Sequence, residues 1–345
     1  MSVYSNSCSA AGATASSRRA WPLQGMFAAF AVGVALLLGA CGDDSGSAGV
    51  PATASPLTTS AATATAEATT AATPAPIEAT DSGGVAITLE GPAQRIVSHS
   101  PGVTEILFAI GAGGQVVAVD EFSDFPSAAA ALPKVTYTAP DPEQDLSFEP
   151  DLVILASNQE QSVGQFRSLG VPVFYLREPD DLDGVMESIR LLGRLSGHEA
   201  EAEALASDME QRLAAVTSVV ADVEAGPRVF WELDSTLYTV SPETFIGAAL
   251  AVLKAQNIAT GATSPYPQLT AEAVVAADPE VILLADAQWG VTVESVGERP
   301  GWASITAVVE GRVHPVDEDI MSRPGPRIVD GLEAIAALLY PDLFQ

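Results

Sequence analysis

From Gln94 onward, short apolar runs alternate with longer amphipathic stretches. Runs of four or five apolar residues are typical of buried strands, whereas apolar positions that recur every three or four residues are typical of helices covering a sheet. Their alternation predicts an α/β fold. The predicted strands are Arg95–Ser98, Val116–Val119, Leu152–Ala156, Val173–Leu176, Arg228–Glu232, Tyr238–Val240, Val281–Ala285 and Arg312–Val316.

Two long helices follow the first four predicted strands. The first covers Leu182–Leu195 and is stopped by Gly197, a residue type that commonly ends helices. The second runs from Glu199 to Val220, with apolar residues at helical spacing. A further helix over Ile328–Tyr340 closes the chain.

The second helix divides the predicted strands into two groups. The sequence therefore predicts two Rossmann-like lobes, residues 94–195 and 226–345, joined by a single long helix within residues 196–225, with a ligand cleft between the lobes. The lobes also share a short internal sequence repeat, which we call the echo: residues 148–156 read FEPDLVILA and residues 277–285 read ADPEVILLA.

A glutamate lies at the same distance before each echoed segment. Glu143 and Glu272 each stand seven residues before the proline of their segment, and each follows a helix-capping residue, Asp141 or Thr270, by two positions. Both glutamates should occupy the exposed first turn of a short helix, where the helix dipole favours an anion. Either one alone could simply cap its helix, but equal placement in both lobes favours a shared role.

Candidate ligand-binding residues come from the strand ends, because ligands of open α/β sheets bind beyond the carboxyl ends of the strands. A tyrosine also lies six residues before each echoed glutamate. The set is rich in aromatic groups and has two or three cations, which suits a large planar ligand with acidic groups, although we expect some members to be core residues. The candidates are His99, Phe122, Phe125, Tyr137, Asn158, Arg177, Trp231, Tyr266, Trp289 and Arg323.

His99 is the candidate with the most distinctive chemistry. A neutral imidazole is a good ligand for iron or cobalt, which would favour haem or a corrinoid over a siderophore, whose own oxygens fill the iron shell. A histidine at a strand end more commonly bonds the backbone or contacts a ligand without coordinating it, so both roles stay open. Three histidines in all are too few for a protein metal cage, and no metal site is predicted.

The charge of the chain excludes some functions. The 345 residues include 15 Lys and Arg against 44 Asp and Glu, a formal net charge of −29. Nucleic-acid binding needs basic residues to neutralise phosphates, and adhesion to anionic lipid needs the same. We therefore expect no nucleic-acid partner. After Cys41 there is no further cysteine, which excludes disulfides, thiolate metal sites and cysteine nucleophiles from the body.

The first 40 residues have the features of a signal peptide. Arg18 and Arg19 precede the uncharged apolar run Met26–Leu38, which is too short to span a bilayer comfortably. The run is followed by Gly, Ala and Cys41, an ending that resembles a lipobox. We expect residues 1–40 to be removed and Cys41 to be lipidated, with general or twin-arginine export both open.

Residues 41–93 are expected to form a disordered tether that begins at the lipidated cysteine. Residues 42–84 consist mostly of Ala, Thr, Ser, Pro and Gly, with no aromatic and no basic residue. Such a segment buries too little apolar surface to offset its ordering entropy. The protein should thus be extracytoplasmic and lipid-anchored to the cell membrane.

Several motifs resemble those of a known family. In order across nearly all of residues 94–345, they are similar to motifs of the iron-complex and vitamin B12 binding proteins of ABC importers, which are class III periplasmic binding proteins. The motifs are RIVSHSPGVTEILFAIG (95–111), SDFP (123–126), LPK (132–134), FEPDLV (148–153), YPQ (266–268) and RPGPRIVD (323–330).

The resemblance implies a monomeric, non-enzymatic receptor without a cofactor, whose two lobes hold a ligand between them. One glutamate on each lobe would dock onto arginines of the membrane permease, and by motif position these are Glu143 and Glu272. The implied partners are the permease with its ATPase and a ligand: an iron–siderophore first, haem or cobalamin next. Cobalamin binders of the family carry tryptophan near the positions of Tyr137 and Tyr266, and His99 stands where the family usually has an apolar residue.

An extracytoplasmic enzyme or ligand sensor that reuses the two-lobed scaffold is the alternative. The sequence has no G-x-S-x-G elbow, and neither Lys134 nor Lys254 belongs to a phosphate-binding loop. His198 and Glu199 lack the second histidine of a zinc-protease motif. Because no catalytic motif supports an enzyme, a solute receptor is the function we expect.

Overall fold

The structure is a computed structural model that describes residues 75–344. The signal peptide, Cys41 and the first part of the tether lie outside the described residues.

The described chain begins with a β-hairpin where a tether was expected. Strands β1 (Ile77–Thr80) and β2 (Ala86–Leu89) pair in antiparallel register. The prediction of a disordered linker through residue 93 was therefore wrong from residue 77 onward. A two-stranded hairpin needs a partner surface for stability, and the N-terminal lobe supplies one that composition does not reveal. Packed against the main core are Ile77, Ala79 and Ile87.

The N-terminal lobe is built on a five-stranded parallel sheet with the order β5–β4–β3–β6–β7. The chain passes from β3 to β4 on one side and later adds β6 on the other side, so the carboxyl end of β3 is a topological switch point, where such sheets bind ligands. The elements are β3 (Ile96–Ser98), α1 (Pro101–Ala109), β4 (Val116–Asp120), α2 (Ser127–Ala130), β5 (Lys134–Val135), α3 (Pro142–Leu146), β6 (Leu152–Ala156), α4 (Glu160–Ser168) and β7 (Val173–Leu176).

Two helices connect the sheets. Helix α5 (Leu182–Ser196) ends at Gly197, which adopts a left-handed φ of 77°. Helix α6 (Glu199–Val219) has 21 residues, which corresponds to a length of about 31 Å at 1.5 Å per residue. Both lie within one residue of the predicted bounds. Within residues 75–344, no helix is long and apolar enough to cross a membrane.

The C-terminal lobe is built on a four-stranded parallel sheet with the order β11–β10–β8–β9. Its connections place helices on both faces, so this lobe has the same α/β organisation as the first. The elements are β8 (Arg228–Glu232), α7 (Phe245–Val252), β9 (Gln256–Asn257), α8 (Ala271–Ala277), β10 (Val281–Leu284), α9 (Val293–Gly297), α10 (Thr306–Val309), β11 (Val313–Pro315), α11 (Glu318–Ser322) and α12 (Ile328–Leu339).

The segment Tyr238–Val240 does not form the predicted strand. It makes a single antiparallel bridge, between Tyr238 and Gln268. The facing segment contains Pro265 and Pro267, whose carbonyl oxygens accept hydrogen bonds from the segment 239–241. Because proline has no N–H to donate in return, the ladder cannot extend.

The echo found in the sequence is also structural. The backbone N–H of Arg95 donates to the Asp151 carboxylate (2.8 Å), and that of Arg228 donates to the Glu280 carboxylate (2.9 Å). Each arginine side chain also donates to carbonyl oxygens just before the echoed strand. The paired strands β3 and β6 in one lobe therefore correspond to β8 and β10 in the other.

The apolar core consists of one large cluster and a smaller cluster on the opposite face of each sheet. The large cluster includes buried residues of both lobes and of α5, α6 and α12, so it ties the lobes together. Phe166 belongs to the smaller N-lobe cluster, and Phe230 and Trp302 belong to the C-lobe one. Both sheets are covered on both faces, which explains their continuously apolar strands.

Candidate ligand cleft between the lobes

The two lobes touch at the carboxyl edges of their sheets. Arg327 at the start of α12 binds the carboxylate of Glu105 in α1 through two hydrogen bonds, Nε to Oε2 at 2.8 Å and Nη2 to Oε1 at 2.6 Å. A Cβ atom on Gly102 would lie only 2.9 Å from the carbonyl oxygen of Pro324, so the backbones of the lobes approach closely there. These contacts form the floor of the cleft.

A second arginine of the C-terminal lobe joins this floor. Arg323 donates from Nη1 to Oδ1 of Asp124 (2.6 Å), and its Nη2 lies 2.8 Å from Oδ1 of Asp319. The hydrogen bond from Arg323 holds the pKa of Asp124 below its usual range. We call Glu105, Asp124, Asp319, Arg323 and Arg327 the floor cluster. With three carboxylates and two guanidinium groups, its formal charge is −1.

Aromatic side chains of the N-terminal lobe form a wall above the floor. The rings of Phe122 and Tyr137 meet edge to face at 5.7 Å. The guanidinium carbon of Arg327 lies 4.1 Å from the ring centre of Phe125, so the C-terminal lobe contacts this wall directly. Phe122 and Phe125 are 52% and 44% exposed, which leaves apolar ring surface open to a ligand.

A cavity of about 240 Å³ lies between the lobes. Its walls are Ser100, Phe122, Tyr137 and Glu178 of the N-terminal lobe and Asp319, Ser322 and Arg323 of the C-terminal lobe. A larger open groove of about 580 Å³ lies between the hairpin and α5. Only residues of the hairpin and the N-terminal lobe line that groove, whereas the smaller cavity combines residues of both lobes.

The pKa values of Tyr137 and Tyr266 are both raised, and the charge of Glu178 contributes to both shifts. Burial, then the negative charges of Glu178 and Asp120, raise the pKa of Tyr137 to about 12. Burial and the charge of Glu178 also raise the pKa of Tyr266, a residue of the other lobe. Both phenols therefore stay neutral hydrogen-bond donors at physiological pH. Arg177 was predicted to bind the ligand because it directly follows a strand, whereas the next residue, Glu178, was not predicted.

The C-terminal lobe contributes exposed aromatic groups at the same edge. Trp289 is 66% exposed in a short turn after β10, and Tyr266 is 55% exposed. Beside Trp289, Gln288 donates from Nε2 to the carboxylate of Glu318 at the start of α11 (3.2 Å). The turn is thus connected to the helix that carries the floor residue Asp319.

His99 does not line the cleft, and its expected role there was wrong. Its side chain is fully buried, with Nε2 2.6 Å from Oδ2 of Asp145 in α3, which is also fully buried. The ring packs edge-on against Phe166. Because β3 is the central strand of a sheet covered on both faces, the residue after it still lies beneath α3. An imidazole in this position is not accessible to a ligand metal.

Other strand-end candidates also occupy different places than expected. Trp231 is 1% exposed within β8 and belongs to the core, because it precedes the end of a central strand. Asn158 is exposed in the turn after β6. Arg177 is exposed, pairs weakly with Asp180 at 3.8 Å and lines the outer groove. The structure gathers Phe122, Phe125, Tyr137 and Arg323 at the cleft.

Both echoed glutamates lie on exposed first turns, as predicted. Glu143 lies in α3, where its backbone N–H donates to the capping carboxylate of Asp141 (2.9 Å). Glu272 lies in α8, where the hydroxyl of Thr270 accepts from the N–H of Ala273 (3.1 Å). In both cases a neighbouring residue caps the helix, so the glutamate side chains are not needed for that purpose.

A buried carboxyl pair lies in the C-terminal lobe, at the carboxyl ends of β8 and β10. Glu232 at the end of β8 is fully buried and receives two hydrogen bonds from Arg299, at 2.7 and 2.5 Å. Asp286, just after β10, is 2% exposed, and neither of its carboxylate oxygens has a hydrogen-bond partner among residues 75–344. Burial and the charge of Glu232 raise the pKa of Asp286 to about 6. In the described part of the chain, no cluster of three or more His, Cys, Asp or Glu side chains is arranged to hold a metal ion.

Comparison with known proteins agrees with this geometry. Residues 96–320 match the family model described as periplasmic binding protein. The chain belongs to this family. Together with the relatives described next, the match confirms the predicted recognition, the two-lobed α/β fold and the role of substrate-binding protein of an ABC importer. The extracytoplasmic location also follows from the family.

Relatives of known name extend the comparison. The uncharacterized ABC transporter substrate-binding lipoprotein YvrC of Bacillus subtilis is 31% identical over 78% of this chain and 87% of its own length. The cobalamin-binding protein of Halobacterium salinarum is 32% identical over 76% of this chain and 73% of its own. The haem-binding protein RhuT of Roseiflexus sp. RS-1 has a solved apo structure with a TM-score of 0.65 and 28% identity, over 73% of this chain and all of that one.

Proposed function

We propose that this protein captures a large ligand without net negative charge, of the cobalamin class, outside the cytoplasmic membrane and delivers it to the permease of an ABC importer. It performs no chemical reaction on the ligand. The cobalamin-binding protein of Halobacterium salinarum, at 32% identity, supports this ligand class.

The observation that carries the proposal is the pairing of both cleft arginines inside the protein. Arg323 and Arg327 are bound to carboxylates of the floor cluster. The propionates of haem or the acidic groups of many siderophores would have to displace those carboxylates and break the charge-assisted bonds already made, of which those from Arg327 reach the buried Glu105. The expectation of an acidic ligand was based on counting cations without their partners. A cobalamin presents neutral carboxamides to the protein and needs no free cation.

The aromatic groups of the cleft suit the proposed ligand. Large ligands are held by apolar and aromatic surfaces with a few polar groups that fix their orientation. Phe122 and Tyr137 form such a surface on one lobe, and Tyr266 and Trp289 are exposed on the other. The hydroxyl of Tyr137 is protonated at physiological pH, so it can donate to an acceptor of the ligand.

Docking to the permease is proposed to use Glu143 and Glu272. Both are exposed, both lie in the first turn of a short helix, and neither is required as the cap of that helix. One carboxylate on each lobe would let the permease contact both lobes at once. Arginines of the permease are the chemically matched partners.

Anchoring is proposed to occur through a lipid on Cys41, with the protein acting as a monomer. The lipobox-like sequence before Cys41 and the lipoprotein name of the Bacillus subtilis relative support the anchor. The tether would keep the receptor near the membrane without fixing its orientation.

The test is a titration of the purified protein with cyanocobalamin, haemin and ferric siderophores, followed by tryptophan emission. Trp231 and Trp302 are 1% exposed, whereas Trp289 is 66% exposed, so a ligand in the cleft should quench mainly Trp289. We expect saturable quenching by cyanocobalamin that is largely lost in Trp289→Phe, with affinity confirmed by calorimetry. Saturable binding of haemin or a siderophore, with none of cyanocobalamin, would refute the ligand class.

A further inference from the structure

Glu178 occupies a position in the cleft that the proposed ligand class does not by itself explain. It follows β7 by two residues and lines the cavity between the lobes together with Phe122, Tyr137 and Arg323. It shares this cavity with Tyr137, and its negative charge contributes to the raised pKa of both Tyr137 and Tyr266. A carboxylate therefore lines the cavity between the two lobes.

The backbone on either side of Glu178 is held in place. The N–H of Arg177 donates to the hydroxyl of Ser82 in the hairpin turn (2.9 Å), and the N–H of Ser82 donates to a carbonyl oxygen of β7 (2.8 Å). On the other side, Pro179 lies so close to Gly184 that a Cβ atom there would be 2.7 Å from the proline ring. The hairpin thus supports a segment of the cleft wall, and Glu178 is presented from a fixed backbone.

The carboxylate of Glu178 adds to the negative charge of the floor cluster. The floor cluster has a formal charge of −1, with its two guanidinium groups bound to carboxylates. Interactions between charges are stronger in a partly desolvated cleft than in bulk water. An additional carboxylate on the wall therefore affects any charged group that a ligand brings close to it.

We propose that Glu178 determines ligand selectivity by accepting hydrogen bonds from neutral donors at the ligand edge, such as carboxamides, and repelling carboxylates at the same place. A carboxamide N–H that donates to a carboxylate makes a charge-assisted bond. A ligand carboxylate would instead place two like charges together, which is how a binding site discriminates against a close analogue. The inference rests on the proposed function for the identity of the ligand, but the charge effect of Glu178 can be measured separately.

The test compares neutral ligands with their own carboxylate counterparts. One pair is cyanocobalamin and a monocarboxylic acid made by hydrolysing one of its peripheral amides, and the other is haemin dimethyl ester and haemin. Affinities are measured for the wild type, Glu178→Gln, Glu178→Asp and the control Asp180→Asn. The control removes the same charge from a side chain that is 87% exposed.

We expect Glu178→Gln to raise the affinity for the acid, relative to its neutral counterpart, by about 4- to 17-fold, the size of a like-charge interaction across roughly 10 Å at an effective dielectric of ~20–40. Glu178→Asp keeps the charge and should keep the wild-type ratio. Asp180→Asn should change the ratio by less than about twofold, because its exposed charge is screened by solvent and salt. Thermal melts establish that each variant is folded.

The outcomes separate this inference from the proposed function. An unchanged ratio in Glu178→Gln, or an equal change in Asp180→Asn, overturns the role of Glu178 and leaves the ligand class standing. Binding of the haem pair without the cobalamin pair overturns the ligand class, while the ratio for the haem pair still decides the role of Glu178. If the wild type binds neither pair, both proposals are wrong.

Discussion

Replacing Asp286 by asparagine should stabilise this protein at neutral pH. The Asp286 carboxyl group is buried next to Glu232, and neither of its oxygens has a hydrogen-bond partner among the residues that the structure describes. Burial and the charge of Glu232 raise its pKa to about 6 from an ordinary value of 3.8. Ionising the carboxyl group at neutral pH therefore costs folding free energy, which an isosteric neutral side chain avoids.

The sign and size follow from proton linkage. Between pH 3.8 and about 6 the folded state holds a proton on Asp286 that the unfolded state has lost, so the free energy of unfolding falls as the pH rises through this window and levels off above it. A shift of roughly two units corresponds to about 3 kcal/mol, at ~1.4 kcal/mol per unit. We expect Asp286→Asn to gain about 1–3 kcal/mol at pH 7.5, because Glu232 and Arg299 can rearrange and relieve part of the cost.

The assay is thermal and denaturant unfolding of both proteins at pH 4 and pH 7.5. A gain of this size corresponds to a rise in Tm of roughly 3–10 °C at pH 7.5 for a domain of this size. At pH 4 the wild-type Asp286 is protonated when folded, so the two proteins should differ little. Asp208→Asn, on the exposed surface of α6, controls for removing one negative charge from an acidic protein. An equal gain at both pH values, or no gain at pH 7.5, would refute the reasoning.

Three further predictions concern the proposed roles. The double variant Glu143→Ala and Glu272→Ala should cut uptake in cells sharply, since desolvated interface pairs cost about 2–5 kcal/mol when broken, while ligand affinity stays within about twofold; an equal fall in affinity would contradict the docking role. Cys41→Ala should release the protein from membranes or leave an unprocessed precursor, and a processed, membrane-bound variant in cell fractionation would exclude lipid at Cys41. His99→Ala should lower the free energy of unfolding by about 3–5 kcal/mol, because it leaves the buried Asp145 unpaired. The same variant should leave the Soret band of any bound haem unchanged, and an altered band would restore His99 as a ligand.

Local pattern was enough to predict much of this protein. Buried parallel strands such as Leu152–Ala156 and Val173–Leu176 are continuous apolar runs with the same bounds in the structure. The ends of α5 and α6 follow from Gly197 and from apolar spacing. The exposed turns of Glu143 and Glu272 were predictable because helix caps act over two or three residues. Each of these features depends on neighbours in sequence.

The charges and the accessible surface of the cleft were decided only by tertiary structure. Glu105 and Arg327, which pair at the floor, are 222 residues apart in sequence, and Asp124 and Arg323 are 199 apart. Residue types alone identify Arg323 as a cation but do not show that it is already neutralised. His99 directly follows a strand as expected, yet its burial depends on α3 packing above it.

The hairpin of β1 and β2 also depends on tertiary structure. Its few apolar residues could not form a core alone, and they become buried only because the N-terminal lobe offers a surface to them. Through Ser82 the hairpin then holds the segment of Glu178, 96 residues further along the chain. Secondary structure is set largely by contacts between near neighbours, whereas a ligand site is assembled from side chains that only the packing of distant elements brings together.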